Sequence, residues 1–184
     1  KTNSVSIETI STNINASLNK DGKISITIKL PSQIFSDILS NNNVNVNNLD
    51  FSKIHTSLNS GILVNMGNPH IVFIVKNLED VDLSKYGSKI EKNGLFSEGI
   101  NMEIVEIVNS SSLKVKFWER GSGLTLSCGS GILSSFYACY KKSLCEKETE
   151  IMIPLGKVNT RINGTELTLT STPQVSFLGE FNYE

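Results

Sequence analysis

Cys128 heads the motif Ser127-Cys128-Gly129-Ser130-Gly131, shortly after an adjacent acid and base, Glu119 and Arg120. Between them lies a loop that opens Gly121-Ser122-Gly123, and a helical pattern begins just past the cysteine. A thiol at the mouth of a helix has two reasons to ionise: the partial positive charge of the helix N-terminus and the free N–H groups there. Such a sulfur suits base or nucleophile chemistry on a small anionic molecule. The plainer alternative is a buried structural thiol. The glycines on both sides weigh against it, because they let a backbone approach a ligand and leave N–H groups open. Cys139, mid-helix among apolar residues, reads as core, and Cys145 near the helix end as incidental.

Other groups could join the thiol. His70 follows Gly67-Asn68-Pro69, and an imidazole beside a thiol can tune or relay its proton. A solvated histidine in an ordinary Asn-Pro turn fits the same letters. Glu119 and Arg120 end a strand, where neighbouring side chains point to opposite faces. Glu119 could take a substrate ammonium and Arg120 a carboxylate, which a planar guanidinium meets bidentately. A solvated strand terminus is the plainer account of that pair. Asn101, a loop-to-strand amide, says little alone, and His55 has no chemical context.

Strands and one good helix must position these residues. Val5 to Ile10, Ile14 to Leu18 and Ile24 to Leu30 alternate as strands, with a hairpin signal at Asp21-Gly22. Ile62 to Val64 and Ile71 to Val75 read as a strand pair around Met66 to His70. Met102 to Val108 and Leu113 to Trp118 read as a hairpin. Asp82 to Glu91 and Ser130 to Ser143 have helical spacing. Glu150 to Pro154, Val158 to Ile162, Leu167 to Thr170 and Val175 to Phe181 complete a strand-rich C-terminus. The Asn-rich stretch Asn41 to Asn48 reads as a surface loop, open to disorder and able to separate two lobes. No regular βαβ alternation or repeat appears, so the class is α+β with strands dominant.

Bulk properties narrow the function. The 184 residues suffice for one core or two small lobes. A formal net charge of -1 and a pI of about 6.2 recommend neither nucleic acid nor an anionic membrane as partner. No apolar run approaches the ~18 residues of a membrane span, and residues 1–16 are too polar for a signal peptide. Three widely spaced cysteines suggest neither a disulfide framework nor a zinc site, and a reducing cytoplasm is the expectation. The chain begins at Lys1 and is strand-like at once, which reads as a piece of a longer polypeptide.

In order, Met66-Gly67-Asn68-Pro69-His70, Asn101-Met102-Glu103, Trp118-Glu119-Arg120-Gly121-Ser122-Gly123 and Ser127-Cys128-Gly129-Ser130-Gly131 closely resemble the diaminopimelate epimerase family. The similarity runs from Ser6-Ile7-Glu8-Thr9 to the final strand. The resemblance implies a lobe with a mixed, β-barrel-like sheet around a central helix. It implies cofactor- and metal-independent epimerisation of LL-diaminopimelate to the meso form, in the bacterial cytoplasm, for lysine and peptidoglycan synthesis. In that scheme two cysteines, one per lobe, face each other across the α-carbon. Cys128 looks like the second of them. Gly129 and Ser130 would bind the reacting carboxylate, and Glu119 the reacting ammonium. Asn68, Asn101 and Arg120 would clamp the distal end, and His70 with Glu119 would tune the thiols. Ser130 stands where the family usually has Thr, Ile71 where many members have Cys or a small apolar residue, and Phe136 and Tyr137 where relatives often have alanines.

By the same resemblance residues 1–30 end an N-terminal lobe, 31–172 form the C-terminal lobe and 173–184 make a return strand. The first cysteine would lie upstream of Lys1, in roughly the missing first third. The partners implied are the substrate, the N-terminal lobe of the same protein and, as an option, a second copy in a homodimer. The chain alone is then expected to be inactive. Two other readings stay open: a sister cofactor-free racemase for proline, hydroxyproline or histidine, and an inert lobe that serves as a binding or structural module.

Overall fold

The computed structural model describes residues 3–9, 13–41, 43–175, 177–180 and 182. Period-2 alternation builds most of it. β1 (Ser4–Glu8), β2 (Asn13–Leu18) and β3 (Ile24–Lys29) form an antiparallel meander, with Asp21-Gly22 in its second turn. Ile10, assigned to the first strand from sequence, lies outside the described residues. β4 (Gly61–Asn65) and β5 (Pro69–Val75) pair around Met66-Gly67-Asn68. Gly67 turns that hairpin with a φ of 98°, a region that side chains rarely enter. β6 (Asn101–Asn109) and β7 (Ser112–Glu119) make the long hairpin, and β8 (Gly123–Thr125) folds back onto β7. β9 (Glu148–Ile153), β10 (Gly156–Asn163) and β11 (Glu166–Ser171) form a second meander.

All eleven strands belong to one mixed sheet in the order β1-β2-β3-β11-β10-β9-β7-β6-β5-β4, with β8 beside β7. The path is open, with β1 and β4 at its edges. Two joints are parallel, β5 to β6 and β7 to β9. A tight turn cannot join parallel strands, so each needs a crossover. Helix α1 (Leu83–Glu91) carries the first and helix α2 (Gly129–Lys141) the second.

The two helices cover different side-chain sets, sorted by strand parity. Ile62 and Val64 of β4, Val72 of β5, Val105 of β6, and Val115 and Phe117 of β7 pack with Ile132, Leu133 and Phe136 of α2. Leu63, Ile71, Phe73, Met102 and Ile104 pack instead with Leu83 and Ile90 of α1. β3 joins β11 in register, Leu167 opposite Ile28, so the first meander extends the sheet that carries α2.

Two segments bear on the sequence expectation. The Asn-rich stretch is the expected surface loop, its described asparagines exposed, but it is stitched onto the α1 side: Val44 and Val46 pack against that core, and the Leu63 N–H donates to the Val46 carbonyl at 2.8 Å. Leu39 and Leu49, on either side of it, bury in the same core. The expected strand from Val175 to Phe181 does not form among residues 172–175 and 177–180; Ser176 and Phe181 lie outside the described residues. Pro173 has no N–H to give a ladder, and Val175, Phe177 and Leu178 face solvent.

α1 starts where the Asp82 side chain accepts from the Ser84 N–H. Its Gly87 lies flat on the Trp118 ring, whose Nε1 donates to Glu91 at 2.7 Å. A Cβ at position 87 would overlap Trp118 ring atoms close to the side-chain root, which cannot swing aside. Alanine gains about 1 kcal/mol of helix propensity over glycine, and overpacking costs about 1–3 kcal/mol. Gly87→Ala is therefore expected to destabilise the chain by up to about 2 kcal/mol, read as a lower urea midpoint. A raised midpoint would contradict this packing.

Candidate active site

Cys128 is the N-cap of α2. Its backbone is extended (φ −141°, ψ 112°), and its carbonyl accepts the first helical bond from the Ile132 N–H at 2.8 Å. The thiol occupies the place where a Ser, Thr or Asp oxygen usually caps. Sγ accepts from the Gly131 N–H at 3.3 Å and lies 3.5 Å from the Ser130 hydroxyl. Helix geometry leaves the N–H groups of Gly129 and Ser130 without intrahelical acceptors. First-turn N–H groups of this kind can bind an anion.

The thiol is nevertheless not predisposed to ionise, contrary to what the helix mouth alone suggests. Cys128 is 7% exposed. Burial pushes its thiol up to about 11; the Ser130 and Gly131 hydrogen bonds pull the other way, and the carboxylates of Glu103 and Glu119 push it further up. Local helix charge is legible in a sequence, whereas desolvation and two carboxylates from other strands are tertiary effects.

Beneath the first turn runs a chain of polar contacts. The wholly buried His70 ring has Nδ1 at 2.8 Å from Glu103 Oε1 and Nε2 at 3.1 Å from Asn68 Oδ1. Asn68 Nδ2 donates to the Ser130 hydroxyl at 3.3 Å, and that hydroxyl meets Sγ. Parity produces the cluster. His70 of β5, Glu103 of β6 and Glu119 of β7 alternate in step with Val72, Val105 and Phe117, which face α2. His70 thus takes Glu103 as its carboxylate partner, and Glu119 acts on the sulfur through its charge.

Glu103 had no role assigned from sequence. The available signal was an acid sharing its strand face with Val105 and Ile107. Its Oε2 is buried and has no hydrogen-bond partner among the described residues. Gly131 makes room for it, since a Cβ there would sit 2.6 Å from Oε1.

Asn101 and Arg120 form a second group. The Asn101 amide donates to the Pro69 carbonyl at 2.7 Å and accepts from the Arg120 N–H at 2.9 Å, bracing the start of β5 against the end of β7. The Arg120 guanidinium turns to the other face, donating to the Glu98 carbonyl at 3.2 Å. The structure therefore gathers Cys128, Gly129, Ser130, Asn68, His70 and Glu119 about the helix mouth. It leaves Asn101 as a brace and Arg120 beside Glu98.

Because the thiol is pushed up, alkylation of Cys128 by iodoacetamide should rise with pH to a midpoint near 11. Glu119→Gln should lower that midpoint by removing a negative neighbour. A parent midpoint at the ordinary thiol value of 9.0 would contradict the arrangement.

The sequence pattern of the family described as diaminopimelate epimerase matches residues 62–176. A diaminopimelate epimerase of Bartonella bacilliformis is 31% identical over 183 residues, covering 98% of this chain and 64% of that relative. One from Bacillus pumilus is 39% identical over 127 residues, 68% of this chain and 44% of the relative. One from Pelagibacter ubique is 42% identical over 103 residues, 56% and 38%. The chain thus spans under two thirds of the length of each. Among solved structures, a phenazine biosynthesis protein of the PhzF family from Bacillus anthracis superposes with a TM-score of 0.60 at 12% identity, covering 94% of this chain and 66% of that one. A hydroxyproline epimerase from Agrobacterium vitis superposes at 0.56 and 9% identity, covering 92% and 57%. At such identities these two speak for the fold. The family pattern covers more than half of the chain, including every residue gathered at the helix mouth, and the chain belongs to the diaminopimelate epimerase family.

Proposed function

We propose that this chain forms the C-terminal part of an enzyme that epimerises LL-diaminopimelate to meso-diaminopimelate by a two-cysteine, two-base route without cofactor or metal, in the cytoplasm. The observation that carries the reading is a helix-capping thiol with two open N–H groups beside it and an acid, Glu119, acting on the same sulfur. On this reading the α-carboxylate lies on the Gly129 and Ser130 N–H groups and the α-ammonium beside Glu119. The ammonium offsets the negative charge that disfavours the thiolate, so Cys128 gives up its proton to solvent as substrate binds. Sγ then takes the α-hydrogen as a proton. The electron pair of the broken C–H bond spreads into the carboxylate, where the helix N–H groups meet the growing charge. A second thiol on the opposite face donates a proton to the α-carbon, so one proton leaves, one arrives and no oxidant is needed. Asn68, Asn101 and Arg120 serve the distal amino-acid end; Arg120 would exchange Glu98 for the distal carboxylate.

The second thiol has no candidate in this chain. Cys139 and Cys145 are buried, both within the core around α2. The opposite base therefore belongs to another lobe of a longer polypeptide. Residues 1–30 would belong with that lobe, and residues 173–184 would lead back toward it.

The test uses the complete protein, LL-diaminopimelate and deuterated water, with α-deuterium incorporation and stereochemistry as readouts. Cys128→Ala should cut inversion by about a thousandfold, within the usual worth of acid–base catalysis. Near-normal turnover in that variant, or fast turnover of a single-centre amino acid with none of diaminopimelate, would sink the reading. The 184-residue chain alone should not invert the substrate, and measurable inversion by it would refute the two-lobe requirement.

A further inference from the structure

We propose that Glu103 is a positioning residue: it shares one proton with His70, and this proton aims the Ser130 hydroxyl, through Asn68, at the Cys128 sulfur. The inference rests on the reading of Cys128 as a working base. Hydrogen-bond directions along the chain force it. Asn68 Nδ2 donates to Ser130, so Asn68 presents Oδ1, an acceptor, to His70 Nε2 at 3.1 Å. His70 Nε2 must then carry a hydrogen. Nδ1 lies 2.8 Å from Glu103 Oε1, a separation that needs one hydrogen between them. Whether it sits on nitrogen or oxygen, the pair is neutral in sum. Ser130 Oγ, already accepting from Asn68, has its own hydrogen free for Sγ. The sulfur thus has two donors, Ser130 O–H and Gly131 N–H.

Removing the shared proton reverses the chain. His70 would keep a hydrogen only on Nδ1, facing the carboxylate, and Nε2 would become an acceptor. Asn68 would turn its N–H₂ toward Nε2 and its oxygen toward Ser130, and the serine hydrogen would leave the sulfur. Glu103 would then be a bare buried carboxylate whose Oε2 has no partner among the described residues, a costly state. The ionisable groups around the sulfur are His70 from β5, Glu103 from β6 and Glu119 from β7; the first turn of α2 adds only N–H and hydroxyl groups. Glu103 is fully buried under Gly131, so it works through His70 rather than on a substrate.

Two measurements on the 184-residue chain test this, and neither depends on which amino acid the complete protein epimerises. Long-range proton–nitrogen NMR should find His70 Nε2 protonated at neutral pH; a hydrogen on Nδ1 alone would overturn the proposal. Alkylation of Cys128 by iodoacetamide against pH reads the thiol. Glu103→Gln supplies a fixed amide N–H to Nδ1, which keeps the donor direction without an ionisable group. Because the pair it replaces is neutral in sum, it should leave the alkylation midpoint and the neutral-pH rate within about twofold of the parent. Ser130→Ala should slow the neutral-pH rate about tenfold in both backgrounds, the worth of one charge-assisted hydrogen bond. A Glu103→Gln profile displaced from the parent's or insensitive to Ser130→Ala, or no effect of Ser130→Ala in the parent, would overturn the relay.

Discussion

The close approach of the first turn of α2 to the sheet is the constraint on which the site depends. At Gly131 there is no room for a Cβ, which would meet Glu103 Oε1 at 2.6 Å and the Phe117 ring at 3.0 Å. That proximity lets the Gly131 N–H reach Sγ and sets Glu103 and His70 directly beneath the turn. It also seats Ile132 and Phe136 among the alternating residues of β4 to β7. One missing side chain thus couples the packing of the core to the polarity around the thiol. A side chain there would have to displace the Glu103 carboxylate and press on the Phe117 ring, disturbing the groups beneath the sulfur.

Much of this was legible in the sequence, for reasons that also mark where legibility stops. Strands and helices followed from period 2 and period 3.6, which are local properties of the chain. Cys128 and its glycines were legible because a helix start has a local signature. Periodicity does not name a strand's partner, so the parallel joints of β5 with β6 and β7 with β9 were not foreseen. The stretch NVNVN reads as polar by composition, yet its valines alternate, and Val44 and Val46 take one side of the loop into the core. Glu103 carries no local signature of its role, since an acid in a strand is most often solvent-facing. Only its parity with Val105 and Ile107 exposes it. The direction in which the thiol shifts was read wrongly from sequence, since burial and two carboxylates outweigh a helix end.

The buried polar chain runs against the rules that make the rest of the core stable. A carboxylate oxygen without a partner, below a helix and beside an imidazole, carries a desolvation penalty of about 1–3 kcal/mol. Apolar residues of similar volume would fill the same space with no such penalty. Local violations of this sort are where function is expected to reside. Apolar residues from Ile62 through Leu169 make up most of the rest of that core and offset the cost, alongside the buried Ser134 and Ser135 of α2.

The resting state of the thiol then follows from the same geometry. With burial and then Glu119 disfavouring the anion, the sulfur rests as a neutral thiol, protected from the oxidation and alkylation that thiolates undergo. A cation placed against Glu119 would reverse part of that balance, while the Gly131 N–H still donates to the sulfur and the Ser130 hydroxyl lies 3.5 Å from it. A substrate that brings its own ammonium would therefore generate the base that attacks it, and an anion lacking that cation would meet a thiol that stays protonated. On the proposed function, selectivity and activation would then arise from one electrostatic contact, with the helix mouth as the carboxylate site and Glu119 as the condition for using it.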